Sequence, residues 1–220
     1  MATSTQQKAG TDRVPLSRDR IATAGLELAD REGVDALSMR RLADELGAGT
    51  MTLYWHFTDK RELLDAVIGT AVAGLKLPRF EGSWRDQIRQ LAAYSRELLA
   101  RHPSVLEIWA RQPVLAADTL GGVEAGLRIL EEAGFDPEEA VKAFRLLVTY
   151  TFGFELFSEP RSKRATRESA RAALRKLPPE GYPHLSETAG PFAAAMGSEE
   201  AFAYGLDRIL DGLEASLATG

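Results

Sequence analysis

The chain predicts an all-α fold, with a small helix-turn-helix head followed by a larger helical domain. Three observations carry that expectation. Apolar residues recur at helical spacing through nearly all of the 220 residues, and no stretch alternates convincingly at period two. Two short helical segments, residues 38–46 and 50–57, are separated by a very short connection containing Gly49. Helices that short do not persist alone in water, so something must hold them as a packed unit, and short helix, tight turn, short helix is the helix-turn-helix pattern. The helices of the second half are longer and more apolar, as a domain with its own core requires.

The elements follow in order. A first helix opens at Ser17, a good N-cap, sets Ile21, Gly25, Leu28 and Ala29 on one face, and ends at Gly33. The second starts near Ser38, buries Leu42, Ala43 and Leu46, and stops at Gly47. The third covers 50–57. The fourth begins at Thr58 or Asp59, where Asp59 and Glu62 have capping-box spacing, and runs through Leu64, Ile68, Ala71 and Leu75 to Pro78. Helices are then expected over 84–100 (Ile88, Leu91 and Leu98 inward), 103–110 and 115–133, the last stopped by Gly134. Pro137 marks a further start, and "EEAVKAFRLLVTYTFGFELF" is apolar on most sides, which predicts deep burial. "SEPRSKRATRESARAALRKLPPEGYP" breaks the pattern, with seven Lys/Arg against one Glu in residues 161–176. It reads as a mobile, solvated loop with one exposed helical stretch. Helices at 184–196 and 198–217 complete the chain, without an internal repeat.

Composition is that of an ordinary globular protein, 45% hydrophobic and 27% charged. The net charge is −5. Of 27 Lys/Arg and 32 Asp/Glu, residues 1–60 hold 8 and 9, leaving 19 and 23 for the rest. Nucleic-acid binding would therefore need a local patch and not a global field. The absence of cysteine excludes disulfides, thiolate metal sites and Cys nucleophiles. No apolar run approaches the ~20 residues of a membrane helix, and "MATSTQQKAGTDRVP" has no hydrophobic stretch of the kind a signal peptide carries. It reads as a polar, disordered tail over 1–15, and a cytoplasmic protein with no membrane partner is expected. His56, His102 and His184 lie far apart, and neither G-x-S-x-G nor a Gly-rich phosphate loop is present. No enzyme activity, metal site or cofactor is expected.

"TLYWHFTDKRELL" sets Tyr54, Trp55, His56 and Phe57 side by side. In an arbitrary helix such a run is core packing. Here the faces divide: Leu53 and Phe57, four apart, point toward Leu42 and Leu46, leaving Thr50, Met51, Thr52, Tyr54 and His56 outside. Hydroxyl, phenol and imidazole groups can donate to phosphate oxygens. Lys60 adds charge where the next helix begins, and free N–H groups there suit a phosphate. In a helix-turn-helix the second helix enters the DNA major groove. The rival is a helical small-molecule carrier without DNA binding, which has no need of Arg40, Tyr54, His56 and Lys60 on one side.

"LSMRRLADELGAGTMTLYWHFTDKRELLDAV" resembles the DNA-binding domain of the tetracycline-repressor (TetR) family, over about residues 17–75. The likeness continues more weakly through "GSWRDQ", "EEAGFDPEEAV", "TFGFELF" and "AFAYGLDRILDGLE", in the order found in the tetracycline-repressor branch. The resemblance implies a head over 16–62, a linking fourth helix over 59–77, and a ligand-binding and dimerisation domain over 63–220. It implies that Arg40 reads a guanine through O6 and N7, that Thr50 and Met51 read bases, and that Thr52, Tyr54, His56 and Lys60 clamp phosphates. Trp55 matches a tryptophan that packs beside the DNA backbone. The tetracycline repressor has Gln and Pro where Thr50 and Met51 stand, so a different operator is expected. The implied partners are a double-stranded, palindromic DNA operator, a small-molecule inducer and a second copy of the chain, through a four-helix bundle eased by Gly153, Gly205 and Gly212. Candidate ligand residues are Tyr94, Trp109, Gln112, Phe144 and Phe152, with Phe154 as a further aromatic, although aromatics at helical spacing more often serve as core. The histidine that holds the drug's magnesium in the tetracycline repressor is matched by Ile108 or Trp109, and its Arg-Pro by Gln112-Pro113. A more apolar, metal-free ligand is expected.

Overall fold

A computed structural model describes residues 15–111, 119–158 and 163–218. Those residues form eleven helices: α1 (Arg18–Glu32), α2 (Met39–Leu46), α3 (Thr50–Tyr54), α4 (Lys60–Gly74), α5 (Trp84–Arg101), α6 (Pro103–Arg111), α7 (Gly121–Glu132), α8 (Pro137–Ser158), α9 (Lys163–Leu174), α10 (Pro183–Ala195) and α11 (Glu199–Leu217). Among the described residues no helix is long and apolar enough to cross a membrane. The expected tail and Gln112 lie outside the described residues. Two compact units meet at Thr70 and Ala71, within α4.

In the first unit, the cap chemistry determines where helices begin and end. Ser17 Oγ accepts from the Arg20 N–H at 3.2 Å and Ser38 Oγ from the Arg41 N–H at 3.1 Å. Gly47 stands at φ +61, the left-handed conformation that closes α2 without a Cβ penalty. This, and not Gly49, is the glycine whose conformation the turn requires, since Gly49 has an ordinary φ of −75. Ile21, Leu28, Leu42, Leu53, Phe57, Leu63 and Ile68 are fully buried. Gly25 lets α1 approach α4: a Cβ there would stand 2.9 Å from Val67 Cγ2. Leu46, expected inside, is only half-buried.

Two boundaries differ from expectation, the first of them through Glu62. Helix α3 ends at Tyr54 instead of continuing to 57. The Thr58 N–H that would extend the helical ladder is taken by the Glu62 carboxylate, at 2.6 Å. Glu62 thus reaches Thr58 and not Asp59, while Asp59 Oδ1 accepts from the Glu62 N–H at 2.8 Å. Helix α4 stops at Gly74, short of the expected 78.

The second unit packs α5, α7, α8 and α11 around Ile88, Leu91, Ile129, Leu130, Ala143, Leu147, Phe202, Leu206 and Leu210. Ser83 and Asp86 form a capping box at the start of α5. Arginines of α5 tie it to its neighbours: Arg85 to Asp211, Arg89 to Asp207, and Arg96 to both Glu155 and Glu199. The Arg96 guanidinium also lies 4.0 Å over the Phe202 ring. Gly205 serves contact within the chain, because a Cβ there would stand 2.7 Å from Tyr150 Cζ. Helix α8 departs from its expected deep burial. Ala140, Ala143, Leu147 and Thr151 are inside, whereas Val141, Leu146, Leu156 and Phe157 are exposed. The basic segment is more helical than expected: α9 spans Lys163–Leu174, and Arg167 donates to the Met196 and Gly197 carbonyls. The described part of the helix expected over 115–133 begins at Gly121.

Candidate nucleic-acid interface and ligand cavity

Helix α3 is held from behind by Leu53 and Phe57, 0% and 1% exposed. With those two anchored, Met51, Thr52, Tyr54 and Trp55 are exposed, while Thr50 and His56 are half-buried. Trp55 is 86% exposed and Met51 70%, so the aromatic run is no core wall apart from Phe57. A tryptophan that open is poorly accounted for by the chain's own packing.

Arg40 and Arg41 are adjacent but differently employed. Arg41 pairs with Glu32 at 2.8 Å and with Glu45 at 2.7 Å, and Arg31 bridges the same two carboxylates. These contacts fasten α2 to α1 and hold the Glu32 carboxyl below its ordinary range, with Arg41 as the first cause. Arg40 is exposed on α2, and Lys60 is exposed at the first residue of α4. Neither makes a hydrogen bond or ion pair to a described residue. Both cations are exposed and unpaired among the described residues.

Arg18 is a contributor that sequence reasoning missed. It donates to the His56 carbonyl at 2.5 Å, pairs with Glu62 at 2.8 Å, and lies 4.3 Å over the Phe57 ring. The Glu62 carboxyl is held at about 2, first by the Thr58 N–H, then by the Thr58 hydroxyl and Arg18. One arginine thereby fixes the turn that carries His56 and leads to Lys60. No motif announces it, because its partners lie some forty residues away in sequence.

The second unit carries a partly open cavity of 440 Å³ between α5, α7 and α8, within the rough 300–1,000 Å³ range of small-molecule sites. Tyr94, Trp109, Phe144 and Phe152 all line it. Trp109 stacks on Phe152, with centroids 4.8 Å apart and planes 15° off parallel. The Tyr94 hydroxyl donates to the Leu75 carbonyl at 2.8 Å, and burial raises its pKa. Phe154 is core and not cavity, packed on Tyr150 and Phe202. Ile108 is fully buried and Trp109 reaches the cavity. The described wall carries no imidazole or carboxylate, so it lacks the donor expected to hold a ligand's magnesium.

Two family models match the chain: "Bacterial regulatory proteins, tetR family" over residues 21–67 and "Tetracyclin repressor-like, C-terminal domain" over 77–217. The chain is 33% identical over 219 residues to the HTH-type transcriptional repressor DrrR1 of Streptomyces coeruleorubidus, covering 92% of this chain and 79% of that protein. It is 31% identical over 207 residues to the Tetracycline repressor protein class D of Escherichia coli, covering 92% and 91%. Among solved structures, the TetR family protein ActR of Streptomyces coelicolor in complex with actinorhodin matches with a TM-score of 0.80 at 31% identity, covering 93% of this chain and 99% of that one. With a helix-turn-helix head, a cavity-bearing helical domain and matches along most of its length, the chain belongs to the TetR family of ligand-responsive, DNA-binding transcriptional repressors.

Proposed function

We propose that two copies of the chain bind a palindromic operator, one α3 per half-site, and that an organic ligand in the α5–α7–α8 cavity releases them. The observation that carries this reading is helix α4. It opens with the exposed Lys60, a few residues after α3 in the chain, and further along the same helix Val72 forms part of the cavity wall. A ligand that repositions Val72 acts on the helix that begins with a phosphate clamp.

Each candidate then has a role. Arg40 reads a guanine bidentately, and Thr50 and Met51 contact neighbouring base edges. Thr52, Tyr54, His56 and Lys60 hold phosphates, with Trp55 packed beside the sugar–phosphate backbone. Dimerisation uses α8 and α11, whose Leu156, Phe157 and Tyr204 are exposed among the described residues. A Cβ at Gly153 or Gly212 would meet nothing within 4 Å, which leaves both positions open to a partner helix. The ligand favours a conformation whose two heads no longer match the half-site spacing, and it can shift that equilibrium only by its differential affinity for the two states. Such a repressor works in the cytoplasm, where its operator is.

The test is fluorescence anisotropy on DNA from immediately upstream of the chain's own gene, against a scrambled duplex, at two salt concentrations. Tight, sequence-dependent binding is expected. Equal binding of both duplexes, followed by failure to select any sequence from random DNA, would overturn the reading.

A further inference from the structure

Resting on the reading of the cavity as the ligand site, we infer that its ligand is a flat aromatic acid, ionised at neutral pH, whose anionic group is held by Arg145. Val141, Arg145, Val148 and Phe152 follow one another at spacings of four, three and four and all line the cavity, so Arg145 lies on the cavity-facing stripe of α8. Among the described residues Arg145 makes no hydrogen bond or ion pair. This sets it apart from Arg85, Arg89 and Arg96, each engaged with carboxylates. No described wall residue carries a negative charge. Arg145 is exposed and lines the cavity; a cation with no carboxylate partner at a largely apolar wall favours an anion, and the planar guanidinium suits a carboxylate through two parallel hydrogen bonds.

The remainder of the wall indicates the shape of the molecule. The stacked Trp109–Phe152 pair, with Phe144 and Tyr94, offers rings to a flat unsaturated ligand. A second polar handle is Thr151, 2% exposed and on the wall. Its hydroxyl makes no bond to a described residue, whereas the nearby Ser95 hydroxyl is satisfied by the Leu91 carbonyl at 3.0 Å. A hydroxyl open to the cavity is ready for a ligand carbonyl or hydroxyl.

The probes are anthraquinone-2-carboxylate and its neutral counterpart anthraquinone-2-carboxamide, titrated calorimetrically into the full chain. The carboxylate is expected to bind about fivefold more tightly than the amide, as a pair with an exposed cation implies. Arg145→Gln should bring the two within about twofold of each other while leaving the amide's affinity as it was, and Arg145→Lys should retain part of the preference. Melting curves of both variants verify that they fold. Equal affinities in the unmodified protein, or an equal loss for both probes in Arg145→Gln, would overturn the anionic assignment and leave the cavity reading standing. If neither probe binds, the aromatic-acid class itself is wrong. The operator titration on the same preparation reports separately whether the regulator reading holds.

Discussion

Gly126 links cavity shape to packing in a way that a single methyl group can test. A Cβ at this position would stand 2.5 Å from Phe144 Cδ2 and 3.1 Å from Leu91 Cδ2. Ordinary carbon contacts begin near 3.5 Å, so in Gly126→Ala the Phe144 ring must retreat by about 1 Å. Phe144 lines the cavity, and any retreat from α7 takes cavity volume. Overpacking of this kind costs about 1–3 kcal/mol, which for a chain of this length lowers Tm by roughly 2–12 °C. Thermal melts at fixed protein concentration read the stability, since a dimer's Tm depends on it. At 20 °C the operator affinity should be unchanged, because Gly126 lies in the second unit, whereas ligand affinity should fall. Phe144→Leu supplies the missing room. The double variant should therefore be more stable than the sum of the single effects, with a coupling on the order of 0.5–3 kcal/mol. A Tm unchanged by Gly126→Ala, or strict additivity in the double variant, would refute the packing argument.

Arg40→Ala should weaken operator binding by ~1–3 kcal/mol and relax specificity at one base, whereas Lys60→Ala should weaken all duplexes alike and reduce the salt slope by about one. Equal losses for Arg40→Ala on operator and random DNA would remove its reading role. Glu62 titrates at about 2, below the ordinary 4.5. A depressed folded-state pKa adds stability above the unfolded value, and that stability is lost as pH falls from about 4.5 to about 2. Glu62→Gln should therefore be less stable than the parent at pH 6, with a gap that closes toward pH 2; urea midpoints measured across that range would show instead a constant gap if the Thr58 and Arg18 contacts were immaterial. Leu156→Asp with Phe157→Asp should yield a monomer by sedimentation and abolish tight operator binding, and a dimer surviving both changes would mean that another face pairs.

How much of the fold the sequence disclosed follows from where the determining interactions lie. Ser17, Gly33, Ser38 and Gly47 act on their immediate neighbours, so α1 and α2 were legible to the residue. The end of α3 depended on Glu62 choosing the Thr58 N–H over that of Asp59, a choice made with Arg18 pulling on the same carboxylate. Such a choice is invisible to spacing rules, because both N–H donors lie within reach of the carboxylate. Helix α8 misled for another reason. Apolar periodicity counts faces without specifying what covers them, and a chain that is apolar on most sides of a helix buries only the faces its own elements can reach. Ala143 and Leu147 met α5 and α7, while Leu156 and Phe157 did not find cover.

The two candidate sites differ in legibility on the same grounds. The proposed reading surface is almost contiguous, residues 40 to 60, and its inward anchors Leu53 and Phe57 are visible as a pair four apart, so the outward set follows by elimination. The cavity draws on α5, α6, α7 and α8, and nothing local distinguishes its aromatics from core ones: Phe152 faces the cavity, while Phe154, two residues on, packs into the interior against Phe202. Only the hundred-degree step of a helix whose opposite sides meet different neighbours separates them. The same geometry singles out Arg145. In sequence it is one arginine between Phe144 and Leu146; on α8 it is a cation on a stripe of wall residues, and its charge restricts what the cavity can hold. A repressor whose ligand is an acid gains a specificity that an apolar cavity alone cannot provide, because a missing negative charge leaves the guanidinium unpaired beside the bound molecule.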